Sequence, residues 1–335
     1  MLGDTLKVFS DYHHDDLFRS FEFLFKKRLD WELYRPIGRQ WFTEGFWHIA
    51  KPYNDAPETV AQYLDWNVPP PDGTPVLNHE GKKHEVITLG EFRNDPPDIL
   101  IASIPPHFTT FKNLRDKYAP KAKVVCHSGN NWPHDWSIID NFMGSVLPHS
   151  CPKHHIFYHQ EFDPMFQPSP PNNGRKLITS FLNAPQNFHT YGHWIHLQKQ
   201  LPDWEFKEFG ASSKDGVLDH AGIYEWMSNS RFIWQVKPGG DGYGHVLHTA
   251  LAVGRPVITQ MSDYYRTLGG QKLLEGRTCL NVDGLSPNRI ATKVATHNQD
   301  DIYSSMHQAV VDTFKETVDF DAEAIKLKEF FEALI

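Results

Sequence analysis

One stretch, Lys237-Pro-Gly-Gly-Asp-Gly-Tyr-Gly244, combines a cation, an acid and closely spaced glycines in a way that suits ligand binding. It follows the apolar run Phe232 to Val236 and precedes the helical pattern Val246, Leu247, Ala250, Leu251. Glycines at a strand-to-helix turn let backbone amides come close to a ligand, and the helix that follows offers N–H groups and the positive end of a dipole. A diphosphate is the natural guest. Lys237 and His245 can add charge or hydrogen bonds to it. The pattern is neither Gly-x-Gly-x-x-Gly nor the Walker lysine loop, and spacing alone leaves an ordinary glycine-rich turn as the alternative.

Two other kinds of chemistry find less support. His149, Cys151, His154 and His155 could ligate zinc but lack paired Cys-x-x-Cys spacing, so no metal is expected. No Gly-x-Ser-x-Gly elbow occurs, which argues against a serine hydrolase.

Around the glycine turn, short apolar runs alternate with helical patterns, as in parallel sheets with crossover helices. Leu6 to Ser10 reads as a strand and Asp15 to Leu29 as a helix, with Leu17, Phe18, Phe21, Leu24, Phe25 and Leu29 at helical spacing. Further strands are expected at Asp98 to Ser103, Ala122 to His127 and His155 to Tyr158. Trp41 to Asn94 is poor in periodicity and reads as an insertion or loop. Phe166 to Arg175, FQPSPPNNGR, reads as a linker. Strands are expected after it at Lys176 to Leu182, Trp204 to Phe209, Phe232 to Val236 and Pro256 to Thr259. They alternate with helices around His193 to Leu201, Ala221 to Asn229 and Tyr243 to Val253. Ile302, Met306, Val310 and Phe314 mark another helix, and Ile325, Phe330, Phe331 and Leu334 a last one.

A length of 335 residues and an apolar fraction of 40% suit two domains with large cores. The net charge of −8 disfavours a protein that works mainly by neutralising phosphate backbones, although a local basic groove is compatible with it. Three widely spaced cysteines do not form a disulfide framework. Neither a signal peptide nor an apolar run of the ~18 residues that a membrane span needs is visible, so a cytoplasmic protein is expected.

Asp241 to Ile258, DGYGHVLHTALAVGRPVI, resembles the donor-binding motif of retaining GT-B glycosyltransferases, the family that includes sucrose synthases and bacterial mannosyltransferases. There an acidic residue, a Gly-aromatic-Gly turn and a second acidic residue eight positions after the first precede Ala-x-Ala-x-Gly-x-Pro-Val-Ile. The similarity in order and spacing extends over roughly residues 174 to 295. It implies an α/β fold of GT-B architecture. An acceptor-binding Rossmann-like domain would span 1–168, a nucleotide-sugar-binding one 174–312, and a C-terminal helix, 313–335, would pack back on the first. It further implies that Asp241 contacts hydroxyls of the donor sugar and that Gly240, Gly242, Tyr243, Gly244 and His245 lie along sugar and diphosphate. Thr249 stands where the family has a ribose-holding Glu, and threonine forms fewer such bonds. Gly210 resembles the glycine beside the base pocket. His127 resembles the histidine near the donor sugar, with Ser128, Asn130 and Asn131 as polar neighbours, although a loop-capping histidine reads equally well.

The implied reaction is metal-independent hexosyl transfer from a nucleotide-diphosphate sugar to a hydroxyl acceptor, carbohydrate foremost, with retention and no cofactor. Lys237 would stabilise the leaving diphosphate, with Arg175, Lys176 or Arg255 as a second cation. Inverting GT-B enzymes place a base in the first loop, where His13, His14, Asp15 or Asp16 could serve. Helix capping is the preferred reading of Asp15 and Asp16. Alternatives are a phage-type DNA base glycosyltransferase, a nucleotide-sugar epimerase and a catalytically silent nucleotide-sugar-binding protein.

Overall fold

The computed structural model describes residues 5–11, 15–36, 39–45, 86–130, 135–146, 151–172, 174–240, 242–274 and 276–335. The chain divides into two compact units, residues 1–161 with 320–335, and residues 162–319.

The first unit is built on a seven-stranded sheet of order β3-β2-β1-β4-β5-β6-β7. Its strands are β1 (Lys7–Ser10), β2 (Glu32–Pro36), β3 (Val86–Ile87), β4 (Ile99–Ala102), β5 (Lys123–Ser128), β6 (Asn141–Gly144) and β7 (His154–Phe157), and every pairing is parallel. A parallel sheet is covered on both faces, so its strands must be apolar on both. Val8, Ile99 and Ile101 accordingly pack with α1 (Asp15–Phe21, continuing as π-helix to Arg28), whereas Phe9, Leu100 and Ala102 pack on the other face. That second face is covered by α2 (Leu89–Asn94) and α3 (Phe108–Tyr118). A capping box, Thr88 with Glu91, fixes the start of α2. Both ends of the 41–94 segment therefore belong to the core: Trp41 stacks on Phe9, and its indole N–H donates to the Ile87 carbonyl at 3.0 Å.

Helix α9 (Phe320–Glu332) joins the first core through Ala324, Leu327 and Phe331, spaced three and four apart. Ile325, one of the residues that marked this helix in the sequence, is 61% exposed. Two charged contacts fasten the helix, Arg28 with Asp321, and the Glu323 carboxylate with the His159 N–H (2.7 Å) and Nδ1 (2.6 Å).

The second unit has a five-stranded parallel sheet of order β12-β11-β10-β8-β9. Its strands are β8 (Leu177–Ser180), β9 (Glu205–Glu208), β10 (Phe232–Trp234), β11 (Val257–Thr259) and β12 (Cys279–Asn281). Helices α4 (Tyr191–Gln200), α5 (His220–Asn229), α6 (His245–Ala252), α7 (Pro287–His297) and α8 (Asp300–Thr317) cover it. Residues 162–168 belong with this unit, where Phe162 packs its ring on Phe166 and Phe314. No helix among the described residues is long and apolar enough to cross a membrane.

Both sheets are doubly wound. In each, the chain leaves one strand toward one edge and returns to a neighbour on the other side: β1 and β4 in the first, β8 and β10 in the second. Ligands of such sheets bind outside the carboxyl ends of the strands at this switch point.

Candidate functional site

The glycine turn lies at the switch point of the second sheet, just beyond the carboxyl end of β10. Gly239, Gly240, Gly242 and Gly244 have φ of 79°, 71°, 63° and 71°, the left-handed region in which a side chain is strained. The Gly240 N–H closes a turn on the Lys237 carbonyl at 3.0 Å. The turn rests on residues Met261–Tyr264: the Gly239 N–H donates to Asp263 Oδ1 at 3.1 Å, and a Cβ on Gly240 would stand 2.3 Å from the Asp263 carbonyl oxygen. The loop after β8 reaches the same place, since the Thr190 hydroxyl donates to the Val236 carbonyl at 3.3 Å. Asp263 is the nearby acid. Burial pushes its carboxyl above the usual range, Asp283 adds to this, and the Gly239 N–H and His189 oppose it.

Gly244 occupies the N-cap of α6 in the left-handed conformation and has no side chain to cap the first-turn N–H groups. Their dipole end thus lies beside the left-handed glycines, the arrangement that suits an anion. Tyr243 is 2% exposed, its ring stacked on His248 at 3.8 Å and edge-on to half-buried His245. His248 in turn donates from Nδ1 to the Gly244 carbonyl at 3.0 Å. The Tyr243 ring therefore braces the start of α6, which leaves its backbone rather than its ring for a ligand. Asp241 lies outside the described residues.

Thr249 donates its hydroxyl to the His245 carbonyl at 2.8 Å, one turn back along α6. Its oxygen can still accept a bond, but it cannot hold two hydroxyls as a carboxylate does. Gly210, with φ of 137°, follows β9 and lies against the Leu182 carbonyl, 2.8 Å from where its Cβ would be, a closeness that only glycine permits.

Lys237 is half-buried at the start of the turn. The three candidates for a second cation are corrected by the direction of the strands. Arg175 and Lys176 precede β8 and Arg255 precedes β11, so all three sit at the amino end of a parallel sheet whose glycine turn is at the carboxyl end. Arg175 pairs with Glu205 at 2.8 Å and Lys176 with Asp203. Arg255, 1% exposed, holds the Ser169 hydroxyl (2.6 Å), the Pro170 carbonyl (2.7 Å) and the Ser228 carbonyl. It is a structural arginine.

The switch point of the first sheet carries a cluster that no local sequence pattern reveals. Asp11 follows β1, Ser103 follows β4, His107 ends the short turn after it, and His127 sits near the end of β5. The Asp11 carboxylate accepts from the Ser103 N–H and Oγ, each at 2.8 Å, and from His107 Nδ1. His127 is fully buried, and its Nδ1 donates to the Ser103 carbonyl at 3.0 Å while its ring meets Phe21 edge-on. Ser128 donates to the Asn130 carbonyl at 2.7 Å. Of the other candidates, Asp15 is the first residue of α1, whereas His13, His14 and Asn131 lie outside the described residues. His149 does too, and among the described residues no group of three potential metal ligands forms.

No family model matches the sequence, and no curated protein matches it significantly. Solved structures do. HepE of Anabaena, in complex with UDP and glucose, aligns over 98% of this chain and 100% of its own at a TM-score of 0.65 and 10% identity. Sucrose-phosphate synthase of Thermosynechococcus elongatus aligns over 98% and 99% at 0.64 and 10%. TarM aligns over 70% of this chain at 0.54 and 13%, and the chain spans about half, 54%, of TarM. The sequence-based expectation for the fold holds: the chain has the α/β fold of the GT-B glycosyltransferases, two doubly wound parallel sheets in one polypeptide.

Proposed function

We propose that the protein is a glycosyltransferase that moves a hexose from a nucleotide-diphosphate sugar to a hydroxyl acceptor, a carbohydrate foremost. The observation that carries this reading is the turn of left-handed glycines, 239–244, at the switch point of the second sheet and at the N-terminus of α6. Its amides and the helix end suit the diphosphate, and Lys237 adds a full charge, so the leaving group is stabilised without a metal. Asp241, by the motif's resemblance, accepts hydroxyls of the sugar, and Thr249 accepts from the ribose. The similar HepE structure holds UDP and glucose, which makes UDP-glucose the first donor to test.

The assay is UDP release from UDP-glucose over a panel of carbohydrate acceptors. Turnover should vanish in Asp241→Ala with the fold intact, and undiminished turnover there would remove Asp241 from the site. Retention is what the motif's resemblance implies.

A further inference from the structure

Asp263 touches the glycine turn, and the donor reading gives it no role. It stands on the short turn Met261–Tyr264, just after β11 and at the same end of the sheet. Its Oδ1 accepts the Gly239 N–H at 3.1 Å, and its backbone carbonyl is the atom against which Gly240 is packed. The turn thus already gives one of its amides to an anion, and that anion belongs to the protein. The other oxygen, Oδ2, is buried and has no hydrogen-bond partner among the described residues. A carboxylate kept for structure alone would have both oxygens satisfied, because a buried charge without donors is costly. The Asp11 carboxylate, by contrast, takes three donors.

The surroundings of Asp263 oppose its ionisation. Burial raises its carboxyl above the ordinary value of 3.8, and Asp283 adds a like charge from beyond β12. Asp283 is itself fixed, by the Ser262 N–H at 3.1 Å and the Ser262 hydroxyl. The Gly239 N–H and His189, which precedes α4, favour the ionised form but do not prevail.

We propose that Asp263 is a built-in rival of the diphosphate: its carboxylate takes an amide of the turn and opposes the ligand's charge, so the turn holds a diphosphate more tightly once that carboxyl is protonated. This rests on the donor reading above. A sugar-linked diphosphate has no free terminal phosphate, whereas the terminal phosphate of UDP gains a further charge near about pH 6. The carboxylate therefore opposes the product more than the donor. Asp263 lowers the hold on both and favours departure of UDP after transfer.

The test is calorimetric titration of the full chain with UDP-glucose and with UDP, for the wild type and Asp263→Asn, from about pH 8 to about pH 5. Asparagine keeps an oxygen for the Gly239 N–H and removes the charge. One charge facing another at ~8 Å near a protein surface changes affinity ~3- to 30-fold, so Asp263→Asn should bind UDP-glucose more tightly than the wild type by that factor at about pH 8. The gain for UDP should be larger. Both gains should shrink as the pH falls, because the wild-type carboxyl then becomes neutral too. Histidines that titrate in this range are common to both chains and cancel in the ratio. Equal or weaker binding by Asp263→Asn, or a ratio that stays constant with pH, would overturn the role of Asp263; loss of a merely structural contact would weaken binding at every pH. Failure of both ligands to bind either chain would overturn the donor reading instead. Should Asp263→Asn not fold, Asp263→Ser removes the same charge and is held to the same outcomes.

Discussion

Two neighbouring glycines of the donor turn allow its geometry to be tested by difference. Gly239 and Gly240 have nearly the same φ, 79° and 71°, so an alanine at either incurs the same left-handed penalty, about 1–2 kcal/mol. They differ in what a methyl would meet. Around Gly239 nothing lies within 4 Å, whereas at Gly240 the added Cβ would fall 2.3 Å from the Asp263 carbonyl oxygen. That oxygen belongs to a backbone, so the turn itself must retreat. The retreat separates the Gly239 N–H from Asp263 and shifts the amides that would face a diphosphate. Losing one hydrogen bond to a charged group costs about 1.5–3 kcal/mol, or roughly 10- to 100-fold in affinity. Calorimetric titration with UDP should therefore show Gly240→Ala binding at least ~10-fold more weakly than Gly239→Ala. Equal affinities in the two variants would refute the placement of the diphosphate on this turn.

Two further outcomes follow from named contacts. Thr249→Val removes a hydroxyl that donates within its own helix and can only accept from a ribose, so UDP affinity should fall by no more than ~10-fold, the worth of one neutral hydrogen bond. A larger loss by calorimetry would make Thr249 a principal ribose ligand. Asp11→Ala deprives the Ser103 N–H and hydroxyl of their buried acceptor and should destabilise the first unit by about 1–3 kcal/mol at neutral pH in denaturant titrations. Because folding lowers the Asp11 carboxyl, the stability it contributes is complete above 3.8 and is lost as pH falls through the lower folded value. The difference between variant and wild type should thus close only below that pH. A difference that closed on raising the pH would contradict the sign.

The glycine turn and most strands of both sheets were legible because short apolar runs and left-handed turns leave strong local signals. Strands β2, β6 and β12 were not, being three to five residues long with polar members such as Glu32, Asn141 and Asn281. The last helix was legible from Ile325, Phe330, Phe331 and Leu334, but not which face packs inward: Ala324 lies in the core and Ile325 faces solvent. The second-cation candidates could have been rejected from sequence alone. Residues before a strand of a parallel sheet cannot reach a turn after its neighbour, and Arg175, Lys176 and Arg255 all precede strands. Asp11 and His107 were out of reach, being 96 residues apart and brought together only by the order of the strands. The one local hint was an acid placed directly after the first strand.

Whether a diphosphate binds at the glycine turn is decided by titrating UDP into the full chain in EDTA, beside Lys237→Ala. Saturable binding should persist in EDTA and weaken roughly 10- to 100-fold in the variant. Absence of binding, or an affinity unchanged by Lys237→Ala, would contradict it.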